Sequence, residues 1–368
     1  MVVIKKVSAK EIFDSRKEKT ISVSIETNVG KFSASSPSGK STGKHEADPY
    51  KKGLKKDIET LKKLKNYFSD EIIDNFQDLR RVEDIIDRHV GANSFFALES
   101  AILKALAKEK KKEIWQIINP KLSRKKIKFP RLVGNIIGGG AHSQRRNKPD
   151  FQEFLLVPMS RTVEDSYKAM KDAKEKAETL LKEYDKKFGG KKNDEDAWET
   201  SLTNKEVLDL LKKVNLPLGV DVASSQFCKR KKYHYLNPLL RRTRDEQISY
   251  ISSLAKNSKL YYIEDPFDED DFESFTELLE ETSRTLIVGD DLTVTNYERL
   301  KKAIEKKSIN AVIIKPNQNG SLLKVKEVCD LTKKHKLKII FSHRSGETDE
   351  SILADLAVGF QADFIKCG

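Results

Sequence analysis

The sequence predicts an α/β fold, a barrel of eight strands preceded by a smaller α+β unit, and three observations carry that prediction. From Leu132 onward eight short apolar runs recur: LVGNII, FQEFLLV, LPLGVDVA, LYYIE, LIVGD, AVIIK, KIIF and ADFIK. The runs inside YYIEDPFD, LIVGDDLTVTN and AVIIKPNQNG are too short for helices and are bounded by Gly, Pro, Asn or Asp, which is the look of buried parallel strands. Helical patterns fill the gaps, and eight strands are enough to close a barrel. These three runs also end in charged groups, Glu264, Asp290 and Lys315. In an alternating barrel the carboxyl ends of the strands face one mouth, so two carboxylates and an amine should converge there.

Residues 1–125 read as the α+β unit. IKKVSAKEI, TISVSIETN and GKFSASS alternate as strands do, with Asn28, Val29 and Gly30 as a hairpin turn. A helix is expected from Asn93 to Ile118, where Phe96, Leu98, Ile102, Leu103, Leu106 and Ile114 mostly recur at helical intervals. The Lys-rich KLSRKKIKFP leads into the barrel, residues 126–368. Its first two strands follow one another and should form a hairpin. A long helix comes next, with Tyr167, Met170, Ala173, Ala177, Leu180 and Tyr184 expected as its apolar stripe, and then a second near Lys205 to Val214. Six strands alternating with helices complete the order ββαα(βα)6, except that the sequence stops just past Lys366 and the final helix is missing.

With 368 residues and 38% hydrophobic content the chain can bury a sizeable core, which argues against disorder. No run nears the roughly eighteen apolar residues of a membrane span. The start, MVVIKKVSAKE, lacks the apolar centre of a signal peptide. Cys228, Cys329 and Cys367 are far apart, with no CxxC spacing, so neither a disulfide framework nor a zinc site is indicated and a reducing cytoplasm fits. The excess of 70 Lys plus Arg over 57 Asp plus Glu gives +13, a balance that can mean nucleic-acid binding. The lysines of KKGLKKDIETLKKLK and AKEKKKE, however, alternate with acids on helical patterns, as on solvated faces.

Asp221, Glu264 and Asp290 end three consecutive barrel runs, and such an oxygen cage suits Mg²⁺. A single acid after a strand is more often a cap or an ion-pair partner; three together point to a metal. Lys315 follows four apolar residues. Burial beside metal charge would lower its pKa from about 10.4 toward about 7 or 8, making it a base. His343, Arg344 and Ser345 follow KIIFS, and Lys366 follows ADFI. Arg beside Ser suits phosphate oxygens and a lysine suits a carboxylate, so the mouth reads as built for a small, doubly anionic substrate. His142, Glu153 and Glu195 are further candidates from the first strand pair and from the loop after the long helix. ASSPSGKS fits a loosened phosphate-loop pattern, but STGKHEADPY follows it in place of a helix, so it reads instead as a Gly/Ser loop able to close over a site.

Taken together, FDSR, SPSGKSTGKHEA, NIIGGGAH, FQEF, LGVDVASSQF, IEDPFD, VGDDLTVTN, IIKPNQNGS, SHRSGETDES and FIK resemble the enolase family over nearly the whole chain. The resemblance implies an enolase-type barrel behind a capping domain, and reversible dehydration of 2-phosphoglycerate to phosphoenolpyruvate. It implies that Asp221, Glu264 and Asp290 hold one Mg²⁺ and that Ser41 helps hold a second. Lys315 would take the C2 proton and Glu195 would assist departure of the C3 hydroxide. Arg344 and Ser345 would bind phosphate, Lys366 the carboxylate, and His142, Glu153 and His343 would line the pocket. A homodimer or higher homo-oligomer is implied as well. Asp196 and Ala197 stand where the family has two glycines, Gly138 where it has Asn, and Gln226 where it tends to have Glu. A related lyase acting on another acid, or an enolase-like protein that binds nucleic acid with its basic surface, are the alternatives.

Overall fold

The computed structural model describes residues 1–40, 43–68 and 71–367. Val2–Phe13, Lys19–Thr27 and Gly30–Ser35 form an antiparallel meander, with Ala9 opposite Val23 and Val23 opposite Ala34. Its turn is the expected one, closed by the Thr27–Gly30 pair, with Gly30 at a φ of 132°. Ile21, Val23 and Ile25 are buried, and the strand packs on the helix Ala92–Lys110.

That helix ends earlier than its periodicity predicts. Lys111 takes the left-handed conformation at φ 52°, and the amides of Lys111 and Lys112 donate back to the carbonyls of Lys108 and Ala107. A separate short helix, Ile114–Ile118, begins after Glu113. Nothing in the side chains announces the break, because Lys is an ordinary helix former.

Eight strands close into a ring in chain order: Arg131–Gly138, Glu153–Leu156, Leu218–Asp221, Tyr262–Glu264, Leu286–Gly289, Ala311–Ile314, Lys338–Ser342 and Phe364–Cys367. The second strand runs antiparallel to both neighbours and the others pair in parallel, with Lys366 opposite Val133 closing the ring. Val133, Leu155, Tyr262, Val288, Ile313, Ile340 and Phe364 form a buried cluster of their own that fills the barrel, as its close packing requires.

Two details depart from the sequence pattern. On the long helix Val163–Tyr184 the buried residues are Ser166, Ala173, Ala177 and Leu181, while Tyr167 and Tyr184 are exposed. The Tyr184 ring instead carries the Lys213 ammonium, 3.8 Å from its centroid. The gap before the helix Arg244–Ser258 also holds a small three-stranded sheet, Cys228–Lys229, Lys232–Leu236 and Leu239–Arg242, which the basic composition of that stretch hid. Among the described residues no helix is long and apolar enough to cross a membrane.

Candidate active site

Strand direction alone brings most of the candidate residues to one end of the barrel. Asp221 and Glu264 end adjacent strands and face each other in register. Asp290 and Lys315 directly follow the next two strands, His343 and Arg344 follow the seventh, and Lys366 lies in the eighth. Because the second strand is reversed, its first residue, Glu153, reaches the same mouth, opposite Asp221 and Gly138.

Two buried lysines organise the centre. The Lys366 ammonium lies 2.8 Å from Glu153 Oε2, 2.8 Å from Glu264 Oε2 and 3.4 Å from Asp221 Oδ2. Burial opposes its charge, but these carboxylates outweigh burial and raise its pKa well above the usual lysine value. Lys315 is ion-paired with Asp290 Oδ2. Here too burial works against the charge, and Asp290 overrides it, so with only the protein's own charges around it the Lys315 pKa is raised. Lys366 bridges Asp221 and Glu264 while Asp290 pairs with Lys315, and Asp290 still lies close enough to raise the Glu264 pKa. Ligand atoms of Asp290 also lie within 4.8 Å of those of Asp265 and Asp291.

The donor set fits divalent metal. Burial, reinforced by the Asp221 charge, pushes the Glu264 pKa well up. Asp265 is raised well above the usual carboxylate value by burial and by Asp291, and Asp291 is pushed up to about 8 by burial and by Asp290. The mouth thus holds more carboxylate oxygen than its lysines neutralise, and hard oxygen donors of that kind suit hard divalent cations.

On the far side, Glu195 Oε2 accepts from Asn135 Nδ2 at 3.0 Å and lies 3.1 Å from His142 Nδ1. Burial disfavours both charges, yet the hydrogen bond between them prevails, raising His142 and holding the Glu195 carboxyl below its usual range. Glu153 is raised by burial to about 7 and His343 is lowered by burial to about 4. Asp196, which carries φ 60°, pairs with Lys174 and, at 2.9 Å, with Lys192. Burial notwithstanding, these partners lower its pKa. Its added charge is thus met at the surface, away from Glu195.

The described flanks of the Gly/Ser loop dock at the mouth. Among the described residues that follow it, the next helix is Leu54–Lys63. The Lys40 amide donates to Ser345 Oγ at 2.8 Å and the Lys44 amide to Glu269 Oε2 at 2.9 Å. His45 Nε2 lies 2.8 Å from Asp270 Oδ1. Arg344 Nη2 donates to both oxygens of Glu46, and Arg344 Nη1 to Asn317 Oδ1 at 3.3 Å. Ser41 lies outside the described residues. A cleft of about 450 Å³ remains beside Glu195, His343, Arg344 and Ser345.

The sequence reading missed several residues that shape this mouth. Asp265 sits at φ 40°, and its carboxylate accepts from the amides of Asp290 (3.0 Å) and Asp291 (2.7 Å). Its adjacency to Glu264 was the available signal, but no pattern of residue types reports a positive φ. Glu46 and Gln318 carry no pattern that singles them out in the sequence; Gln318 Nε2 lies 3.3 Å from Glu46 Oε1 and 3.4 Å from Asp290 Oδ1.

Comparison with known proteins agrees with this geometry. Residues 4–118 match the family model described as enolase, N-terminal domain, and residues 126–368 the model described as enolase, C-terminal TIM barrel domain. The chain is 36% identical to an enolase of Methanosphaera stadtmanae over 100% of its own length and 92% of the relative's. It is 37% identical to an enolase of Sulfurisphaera tokodaii (99% and 91%) and 34% identical to one of Natronomonas pharaonis (100% and 95%). With both halves matched and relatives of this similarity along its whole length, the chain belongs to the enolase family.

Proposed function

We propose that the protein is a phosphopyruvate hydratase, catalysing the reversible dehydration of 2-phosphoglycerate to phosphoenolpyruvate. The observation that carries the reading is the gathering of Lys315, Lys366, the strand-end carboxylates and the His142–Glu195 pair in one buried mouth under a docked loop. Asp221, Glu264 and Asp290 would hold one Mg²⁺, and Ser41 would contribute to a second. When bound, the two ions would offset the carboxylate charge that keeps Lys315 protonated and stabilise the doubly negative carboxylate formed as carbon loses its proton.

In this reading Lys315 Nζ receives the C2 proton. The electron pair left behind returns to form the C2–C3 double bond as the C3 oxygen leaves. A proton held on the His142–Glu195 pair travels with that oxygen, so water departs and charge balances. Lys366 neutralises the substrate carboxylate, Arg344 and Ser345 take the phosphate, and His343 and Glu153 line the cleft. The docked loop excludes water, which strengthens each of these interactions.

We take residues 1–125 as a capping domain and 126–368 as the barrel, in a cytoplasmic homodimer, on the strength of the family likeness; light scattering on the eluted protein tests the dimer. The reaction itself is tested by following phosphoenolpyruvate absorbance with 2-phosphoglycerate. Turnover that stops on chelation and returns with Mg²⁺ is expected. Absence of turnover in the metal-replete protein would leave a binding role, and turnover indifferent to chelation would overturn the metal assignment.

A further inference from the structure

We propose that Asn193 is a positioning residue for Glu195, and that Gly138 is a glycine in order to make room for it; the inference rests on the reading of Glu195 given above. Asn193 Oδ1 accepts from the backbone amides on both sides of the next turn, Glu195 N at 3.0 Å and Ala197 N at 2.9 Å. Its own backbone closes the same loop, with the amide donating to Ala197 O at 2.9 Å and the carbonyl accepting from Asp196 N at 3.1 Å. One residue therefore holds every amide from 195 to 197, and it holds Asp196 at its positive φ.

The far side of the Asn193 amide faces the first barrel strand. A Cβ on Gly138 would stand 2.3 Å from Asn193 Nδ2 and 3.2 Å from its Cγ, closer than side chains can approach. Gly138 also pairs with Glu199 where the loop returns alongside the strand, so the backbones there cannot separate to admit a second side chain. Nδ2 itself is buried, with no hydrogen-bond partner among the described residues. Three residues earlier in the same strand, Asn135 donates to the Glu195 carboxylate. The strand thus fixes the carboxylate through Asn135 while the loop fixes the backbone beneath it through Asn193. Gly138 stands where the resemblance leads one to expect Asn. The structure explains the departure: a single amide-sized space lies between strand and loop, and here the loop fills it.

A reciprocal exchange tests this. Gly138→Asn forces two amides into that space and Asn193→Gly leaves none. Each should lower kcat by about tenfold to a hundredfold, the usual consequence of a catalytic group displaced by an ångström or less. KM should hardly change, because the groups assigned to phosphate and carboxylate do not move. The double variant carries one amide from the opposite wall and should return to within about threefold of the parent kcat, a coupling that independent sites do not show. Hydrogen exchange gives a second readout: the Glu195 and Ala197 amides should exchange faster in Asn193→Gly and slow again in the double variant. Singles with parent kcat, or a double variant as impaired as the product of its singles, would overturn the pairing. If the parent itself turns over no 2-phosphoglycerate, the dehydration reading fails, and amide exchange alone decides whether the two positions share one space.

Discussion

Arg344 Nη2 donates to Glu46 Oε1 at 3.2 Å and to Glu46 Oε2 at 3.1 Å, joining the loop over the mouth to the end of the seventh barrel strand. Both side chains are nearly buried, so the pair is shielded from solvent and holds the loop more firmly than a surface ion pair would. The same guanidinium is the one assigned to substrate phosphate. Loop position and phosphate binding therefore draw on one side chain, and disturbing either should be felt by the other.

Gly39→Ala is the least invasive way to disturb them. A Cβ at position 39 would fall 1.9 Å from Arg344 Nη2, so the guanidinium must leave its place against Glu46. KM for 2-phosphoglycerate should rise by about tenfold, as when one charged hydrogen bond of about 1.5–3 kcal/mol is weakened. Trypsin should also cut more readily at Lys40 and Lys44. Unchanged KM together with unchanged cleavage would show that Arg344 does not couple loop to phosphate.

Lys315→Met removes the assigned base while keeping an unbranched side chain in the buried slot. Turnover should fall by at least about a thousandfold, within the range ascribed to acid–base catalysis. Exchange of the C2 hydrogen with deuterated solvent should vanish along with it. Exchange that persists at the parent rate would reassign the base. A thermal melt controls for the Asp290 carboxylate left without its buried partner.

Asp265→Ala targets a residue that touches no assigned ligand group of the substrate. Its two oxygens hold the amides of Asp290 and Asp291, and its φ of 40° is costly for a side-chain-bearing residue. Without it the Asp290 carboxylate loses its bearing, and divalent-metal affinity should drop by about ten- to a hundredfold, the usual effect of removing a group that orients a metal ligand. Titration calorimetry with Mg²⁺ reads this directly. Parent affinity would mean that the Asp265 contacts serve only the backbone turn.

These residues also show which parts of the molecule the sequence could convey. Strand-end groups such as Glu264 and Lys315 were legible because a short apolar run fixes both the strand and the place where it stops, and barrel closure then fixes the side on which the next side chain emerges. Glu153 reached the mouth only through the reversed second strand, which the order of elements gave away. Lys111 and Asp265 were not legible, since a left-handed backbone at Lys or Asp leaves no mark in residue type. The protonation of Lys315 turns on a contact of another kind. Burial and neighbouring cations are legible in the sequence, but the ion pair that Asp290 makes with Lys315 is not, and with only the protein's own charges around it that pair raises the lysine's pKa. Contacts between distant loops, such as Glu46 with Arg344, depend on how two separate segments pack, and no local pattern encodes that.

Asp185 supplies a prediction about pH. It is buried just past the long helix, and its carboxylate accepts from Thr200 Oγ1 (2.7 Å), Ser201 N (2.8 Å), Ser201 Oγ (2.6 Å) and Lys187 N (2.9 Å). Burial opposes the charge, but these hydrogen bonds outweigh it and lower its pKa. A folded pKa below the unfolded value of about 3.9 contributes stability that is complete above that value and is lost as pH falls through the folded one. Asp185→Asn should therefore destabilise by about 1–3 kcal/mol at neutral pH. The gap from the parent should narrow below about pH 4, where the parent carboxylate begins to protonate. Urea unfolding at neutral pH and near pH 3 measures both. Because Asp185 ties together the two ends of the segment that carries Asn193 and Glu195, the neutral-pH variant should also lose kcat. A gap that stays constant down to pH 3 would show that the carboxylate's charge is not what these donors require.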